Sequence, residues 1–109
     1  MGWVKAIETG GLPVGKTLKV LLEGVEILIA NVGGKYYAIA DKCPHMGGSL
    51  SDGVMEGGII ICPKHGSRFD VKTGKNVGDA KLLLLKIKVK DTRSFRLKTE
   101  GLTLFVDFE

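Results

Sequence analysis

The chain has 109 residues, of which sixteen are Lys or Arg and twelve are Asp or Glu, for a formal net charge of +4. This length predicts a single domain with a modest core. Two cysteines in a lysine-rich chain argue against a secreted disulfide scaffold, and no apolar stretch approaches the ~20 residues that span a bilayer. The N-terminal residues lack the charged head and apolar run of a signal peptide, so we expect a cytoplasmic protein with no membrane contact.

Short segments rich in β-branched and aromatic residues, separated by glycine, predict a series of strands. They cover residues 3–7, 17–22, 25–31, 36–40, 58–61, 81–90, 94–99 and 102–107, with Glu100-Gly101 as a hairpin turn. No 3.6-residue apolar period is long enough for a helix, although residues 49–55 could hold one helical turn. The sequence therefore predicts an all-β fold, a sandwich of two or three small antiparallel sheets.

Residues 10–17, between the first two predicted strands, match the phosphate-binding pattern G-x-x-x-x-G-K-[ST]. In nucleotide-binding domains this pattern joins a strand to a helix whose first amides hold phosphate. Here the segment after Thr17 is short and is followed by β-rich sequence. We therefore interpret the match as a turn between strands and expect no nucleotide binding.

Two short motifs contain every cysteine and histidine of the chain: Cys43 with His45, and Cys62 with His65. Thiolate and imidazole are ligands for iron, zinc and copper. Zinc fingers usually group two cysteines in one motif and two histidines in the other, whereas each motif here supplies one of each. This ligand set suits a Rieske [2Fe–2S] centre, in which one iron takes two thiolates and the other takes two imidazoles. A structural zinc site and a Cys43–Cys62 disulfide are the alternatives.

The segments that begin at Cys43 (Cys-Pro-His-Met-Gly-Gly-Ser-Leu) and at Cys62 (Cys-Pro-Lys-His-Gly-Ser-Arg-Phe-Asp) resemble the cluster-binding loops of Rieske proteins. The resemblance is closest to the small soluble Rieske-type ferredoxins. Asp41, Gly53 and the Thr-Gly pair at 73–74 also fall where that family places them. The resemblance implies one [2Fe–2S] cluster, held in a subdomain of about residues 41–80 that is inserted into a larger β-sandwich within one Rieske-like domain, residues 1–109.

The resemblance also implies a role for individual residues. The expected metal ligands are Cys43, His45, Cys62 and His65. The residues expected to surround the cluster are Pro44, Gly47, Gly48, Lys64, Gly66, Ser67 and Phe69. The residues expected to dock a partner are His45, His65, Met46 and Arg68. The prolines restrict the backbone beside each thiolate, and the glycines allow the backbone to approach the cluster closely.

The sequence differs from the Rieske proteins of cytochrome complexes at several positions. Those proteins have a bracing disulfide where this chain has Gly48 and Lys64, and a tyrosine where it has Phe69, while Ser67 keeps a hydroxyl. Many family members also cover the cluster with a proline-containing loop, and residues 77–81 contain no proline. Hydrogen bonds to the cluster sulfurs stabilise the reduced state, so the missing tyrosine hydroxyl predicts a potential of about −150 mV rather than about +300 mV.

The function implied by the resemblance is that of a soluble one-electron carrier, not an enzyme by itself. It would take electrons from a flavin-dependent reductase and pass them to a terminal oxygenase or a similar acceptor. Rieske oxygenases also need a mononuclear iron held by two histidines and a carboxylate, and both histidines of this chain are already assigned. The alternatives are a small redox subunit of a larger reductase, similar to the small nitrite reductase component, and a zinc-stabilised binding module without redox activity.

Much of the excess positive charge lies between residues 81 and 98. Apolar and charged residues alternate over residues 85–90, which is typical of a strand with one solvated face rather than of a nucleic-acid site. We therefore expect no nucleic-acid partner. A positive surface could instead steer an acidic redox partner.

Overall fold

The computed structural model describes residues 2–44, 48–64, 66–78, 80–82, 85–87 and 90–108. These ranges contain strands and two single-turn 3-10 helices, Thr9–Gly11 and Leu50–Asp52, but no α-helix. The strands are β1 (Trp3–Glu8), β2 (Thr17–Leu22), β3 (Val25–Val32), β4 (Lys35–Ala40), β5 (Val54–Glu56), β6 (Ile59–Ile61), β7 (Arg68–Asp70), β8 (Asn76–Gly78), β9 (Ala80–Leu82), β10 (Leu85–Ile87), β11 (Ser94–Phe95), β12 (Leu97–Glu100) and β13 (Thr103–Asp107). The predicted all-β class and the single helical turn within 49–55 are confirmed. No helix of the described part is long and apolar enough to cross a membrane.

All the strand pairs in the described part of the chain are antiparallel, and they form separate small sheets. The strand orders are β11-β4-β3-β2, β5-β6-β7-β8, β1-β13-β12 and the two-stranded β9-β10. The central strand, β3, is buried on both faces. Leu28 and Ala30 belong to one hydrophobic core, which we call the ligand-side core because it also contains both cysteines. Ile27 and Ile29 belong to a second core, which includes buried residues of β13. The β11-β4-β3-β2 sheet thus separates the two cores.

The segment with both Cys-His motifs leaves this central sheet and returns to it. β4 pairs with β11, with Ala38 opposite Phe95, and residues 41–93 lie between these two strands. Within that segment the chain builds the β5-β6-β7-β8 sheet. Where it returns, the Ala40 N–H donates to the Arg93 carbonyl at 2.8 Å, and the Thr92 N–H donates to the Gly74 carbonyl at 2.8 Å.

Paired glycines produce two of the tight hairpins of the fold. Gly33 and Gly34 both have positive φ between β3 and β4, and Gly57 and Gly58 both have positive φ between β5 and β6. Two central residues with positive φ are the signature of the two-residue hairpin turn that matches strand twist. The second turn starts β6, which ends directly before Cys62, and so determines where the second Cys-His motif begins.

The segment predicted as one strand over residues 81–90 forms two. β9 and β10 pair antiparallel, with Leu82 opposite Leu85, so that prediction is wrong. Residues 82–85 are all leucine, and they contain none of the residues that usually mark a chain reversal. Apart from the exposed Lys90, the alternating pattern over 85–90 falls on side chains outside the described part of the chain.

Two further boundaries differ from the sequence predictions. The segment at 94–99 divides into β11 and β12, which belong to different sheets. The last hairpin turn is Gly101-Leu102 rather than Glu100-Gly101, because Glu100 still pairs with Thr103. The short strands β5, β7 and β8 are not predicted, since three residues are too few for a period-2 pattern to emerge.

The phosphate-binding pattern at 10–17 lies in a turn, as predicted. β2 begins at Thr17, where the nucleotide-binding motif requires a helix. The Gly15 N–H donates to the Asn31 carbonyl at 2.8 Å, and the Asn31 N–H donates to the Lys16 carbonyl at 3.0 Å. The Gly15 amide is therefore used to attach the turn to β3.

Candidate metal centre

Each cysteine begins a loop, and the backbone closes both loops in the same way. The Cys43 N–H donates to the Gly48 carbonyl at 2.7 Å, and the Cys62 N–H donates to the Ser67 carbonyl at 2.7 Å. In both loops the acceptor lies five residues after the donor. We call residues 43–48 the first ligand loop and residues 62–67 the second. His45 and His65 fall within these loops in sequence, and they lie outside the described residues, as do Met46 and Gly47.

The two cysteines are deeply buried and share one environment. Cys43 and Cys62 are each 2 % exposed, and both belong to the ligand-side core. They are not joined to each other by a disulfide. Burying a thiolate in apolar surroundings is costly unless a cation compensates its charge. The pair is therefore suited to binding a metal centre.

A buried carboxylate closes the base of the first ligand loop. Asp41 lies between β4 and Cys43 and has no exposed surface. Its carboxylate accepts hydrogen bonds from the Ser51 N–H at 2.8 Å and from the Ser49 hydroxyl. In turn, the Leu50 N–H donates to the Asp41 carbonyl at 2.7 Å. The residues before and after the loop are thus tied together. In the sequence, Asp41 is recognised only as a position shared with the Rieske family. Its structural role becomes visible only in these hydrogen bonds.

Strands β6 and β7 support the second ligand loop. Ile60 is opposite Phe69 in their pairing. Inside the loop, the Gly66 N–H donates to the Cys62 carbonyl at 3.1 Å, and Gly66 has a φ of +79°. This left-handed conformation favours glycine over any residue with a Cβ. Gly66 is therefore required by the turn itself.

The two loops are held together by a backbone contact that the sequence did not predict. Gly53 follows the 3-10 helix after the first loop, and Ile61 directly precedes Cys62. A Cβ added to Gly53 would collide with the Ile61 carbonyl oxygen. Only a glycine allows the backbone after the first loop to come this close to the start of the second.

The side chains of Ser67 and Phe69 determine which hydroxyl donors this environment offers to a cluster. Ser67 is 1 % exposed, and its hydroxyl has no hydrogen-bond partner among the described residues. A buried hydroxyl without a partner is destabilising, and a cluster sulfur would provide the missing acceptor. Phe69 is fully buried in the ligand-side core, close to the cysteines, and has no hydroxyl to donate. Two buried thiols in one core, near a hydroxyl without a partner among the described residues, fit the thiolate half of a Rieske [2Fe–2S] site.

Exposed basic side chains lie within or beside the loops. We call Lys42, Lys64 and Arg68, all exposed, the cationic rim. A Cβ built on Gly78 would lie 3.2 Å from Arg68 Cβ and 3.3 Å from its Cδ, so the Arg68 stem lies over β8. Pro44 is exposed at the surface of the first loop. Gly48 is buried beneath the side chain of Lys64. Of the residues predicted to surround the cluster, the structure describes all except Gly47, and these lie in the two loops or directly after them.

Comparison with known proteins supports an assignment for these loops. A family model described as the Rieske [2Fe–2S] domain matches residues 2–84. The ferredoxin component of the naphthalene 1,2-dioxygenase system of Pseudomonas aeruginosa is 33% identical over 105 residues, which cover 96% of this chain and 94% of that protein. The ferredoxin component of biphenyl 2,3-dioxygenase of Rhodococcus jostii is 37% identical over 110 residues, which cover 100% of this chain and 95% of that protein.

A solved structure gives the same result for the fold. A chain in the complex of reduced oxygenase and oxidized ferredoxin of carbazole 1,9a-dioxygenase matches with a TM-score of 0.81 and 27% identity. The match covers 98% of this chain and 94% of that chain. The similarity therefore extends over both sheets that support the ligand loops.

Proposed function

Because this chain belongs to the Rieske [2Fe–2S] domain family, we propose that it acts as the ferredoxin component of a ring-hydroxylating oxygenase system. Its cofactor is one Rieske-type [2Fe–2S] cluster, and its role is to carry single electrons to a terminal oxygenase. The observation that supports this most directly is the pair of equally closed loops, each beginning at a buried cysteine. The buried hydroxyl of Ser67, which has no partner in the described part of the chain, adds to it.

We assign two protein ligands from these loops to each iron. Cys43 and Cys62 bind one iron, and His45 and His65 bind the other, as the asymmetric ligation of a Rieske centre requires. The shared burial of the two cysteines supports their half of the assignment. The matching closures place each cysteine at the start of an equivalent loop, and the sequence of each loop contains one histidine.

The residues around the ligands have separate tasks in this proposal. The cluster supplies a one-electron couple. The ligand-side core, to which both cysteines belong, excludes water from the thiolates of Cys43 and Cys62. Ser67 donates its hydroxyl to a cluster sulfur, and the backbone ties at Asp41 and Gly53 hold the loops in position.

Two redox partners follow from this role. Electrons come from a flavin-dependent reductase and go to the terminal oxygenase, in keeping with the ferredoxin-oxygenase complex among the structural relatives. We propose that partners dock over His45, Met46, His65 and Arg68. The cationic rim supports this location, because exposed positive charge beside the loops attracts an acidic surface.

Three further assignments belong to the same proposal. Residues 41–80 form the cluster-binding subdomain of a single domain, since the β5-β6-β7-β8 sheet lies entirely within them. The chain transfers electrons and does not transform a substrate by itself, as its relatives are components of oxygenase systems. It works in the cytoplasm, where the reducing environment keeps cysteines as thiols.

The decisive experiment is electron paramagnetic resonance of the purified protein after chemical reduction. We expect a red-brown protein with two irons and two sulfides per chain. Its rhombic signal should have an average g value below that of all-cysteine ferredoxins. A colourless, silent protein that contains zinc would contradict the proposal and leave a zinc-stabilised binding module.

A second measurement tests the partners. A flavin-dependent reductase with NADH should reduce the cluster, and addition of a terminal oxygenase should reoxidise it. A chain that purifies only as part of a large reductase would instead indicate a permanent redox subunit. Monomeric protein that exchanges electrons with both partners supports the carrier.

A further inference from the structure

The two ligand loops also touch through Lys64 and Gly48. Gly48 is the buried acceptor that closes the first loop, and Lys64 is exposed two residues after Cys62. A Cβ built on Gly48 would lie 2.7 Å from Lys64 Cγ, 3.3 Å from its Cε and 3.6 Å from its Cδ. Because several carbons of the stem are this close to one point, the stem lies along the backbone of Gly48.

This contact has the properties of packing between loops rather than of an ion pair. The three atoms nearest to a Cβ built on Gly48 are all aliphatic carbons of Lys64. Lysine stems commonly cover apolar surface while the ammonium remains in water. Gly48 has no side chain, so the stem reaches the backbone directly. A second tie, between Gly53 and Ile61, lies just outside the loops. The contact between Lys64 and Gly48 therefore joins the two ligand loops at residues that lie within them.

We propose that Lys64 is a positioning residue that clamps the second ligand loop on the first and slows loss of the cluster. This inference rests on the cluster assigned above to the two loops. Each loop supplies ligands to the same centre, so the loops must separate before an iron can leave. The stem stabilises the closed arrangement, and this role does not require the charge of the ammonium.

Four variants test whether the aliphatic stem of Lys64, rather than its charge, holds the two loops together. Lys64→Ala removes both, and Lys64→Met keeps an unbranched stem of similar reach without the charge. Gly48→Ala places a methyl group where the stem lies. The double variant Gly48→Ala/Lys64→Ala has room for that methyl group. Gly11→Ala is the matched control, because a Cβ there meets nothing within 4 Å.

The measurement is the half-life of the visible absorption band during incubation with an iron chelator. We expect Lys64→Ala to shorten the half-life about tenfold, as residues that orient metal ligands typically affect metal retention. Lys64→Met and Gly11→Ala should resemble the wild type. Gly48→Ala should also shorten the half-life, and the double variant should be no worse than Lys64→Ala alone.

Several outcomes would overturn the clamp. One is an unchanged half-life in Lys64→Ala, and another is an equal loss in Lys64→Met, which keeps the stem. A double variant whose loss is the product of the two single losses would show that the residues act independently.

The melting temperature of the cluster-free protein gives a readout that does not depend on the cofactor. We expect Gly48→Ala to lower it and Lys64→Ala to restore it in the double variant. If the wild type binds no [2Fe–2S] cluster, the proposed function fails, whereas this measurement still tests the loop contact. If the wild type binds the cluster and the variants do not differ from it, only the clamp fails.

Discussion

The backbone N–H of Ser51 donates a 2.8 Å hydrogen bond to the carboxylate of Asp41, which is fully buried. Asp41 precedes the first ligand loop and Ser51 follows it, so this bond connects the two ends of the loop. The position of Cys43 therefore depends on a residue that binds no metal.

Replacing Asp41 with alanine should destabilise the protein. The change leaves the Ser51 N–H and the Ser49 hydroxyl without their acceptor, and we expect a loss of about 3 kcal/mol in unfolding free energy. Asp41→Asn should lose less, because an amide can accept from the Ser51 N–H and donate to the Ser49 hydroxyl. Chemical denaturation of the cluster-free protein measures both. Asp52→Ala is the control, because it changes an exposed carboxylate nearby. Equal losses of unfolding free energy in Asp41→Asn and Asp41→Ala would contradict the hydrogen-bond explanation.

Gly53→Ala should separate the two ligand loops. The added methyl group collides with the carbonyl oxygen of Ile61, and relief of that collision requires the backbone to move at a cost of about 3 kcal/mol. We expect a lower melting temperature and poor incorporation of iron and sulfide. Gly10→Ala should leave both unchanged, since a Cβ at Gly10 meets nothing within 4 Å. A Gly53→Ala protein with full iron content and normal stability would refute this prediction.

Ser67→Ala should lower the reduction potential with little effect on stability. A hydrogen bond to a cluster sulfur stabilises the reduced state, which is the more negative one, so its loss makes reduction less favourable. A bond worth about 1 kcal/mol corresponds to a decrease on the order of 50 mV for one electron. Redox titration monitored by visible absorption measures this, with the exposed Ser94 changed to alanine as the control. Because Phe69 supplies no hydroxyl, we expect the wild type itself near the lower end of the Rieske range, at about −150 mV. A potential that does not change in Ser67→Ala would show that its hydroxyl does not reach the cluster.

Arg68→Gln should slow electron transfer to the oxygenase without changing the cluster. Glutamine keeps the carbons that lie against Gly78 and removes only the charge. One exposed ion pair contributes about 0.5 to 1 kcal/mol, so we expect an association rate about two- to fivefold lower at low salt. The difference should shrink as ionic strength rises, because salt screens exposed charges. Stopped-flow reoxidation measures the rate, and the exposed Lys35, changed to glutamine, is the control. An equal decrease in Lys35→Gln would mean that net charge, rather than the position of Arg68, determines the rate.

Most of the large strands could be predicted from the sequence because glycine pairs and β-branched residues mark them locally. The segment 17–22 is β2 with the same bounds, since it stands between the turn after Gly15 and the turn at Gly24. The leucines at 82–85 show where this reasoning fails. A reversal without glycine, proline, asparagine or aspartate has no local signal, so only the pairing of β9 with β10 reveals it.

The sequence by itself determined the all-β class, the Rieske family and the cofactor. Metal chemistry selects residue types at short spacing, and Cys43 with His45 and Cys62 with His65 are visible along the chain without any fold. The tertiary structure alone determined the contacts that hold the loops: Asp41 with Ser51, Gly53 with Ile61, and Lys64 with Gly48. These contacts depend on how segments 8 to 16 residues apart meet in space. A glycine or an aspartate looks the same in the sequence whether it lies in an exposed turn or against the backbone of a neighbouring loop. The difference arises only when packing brings the two loops together.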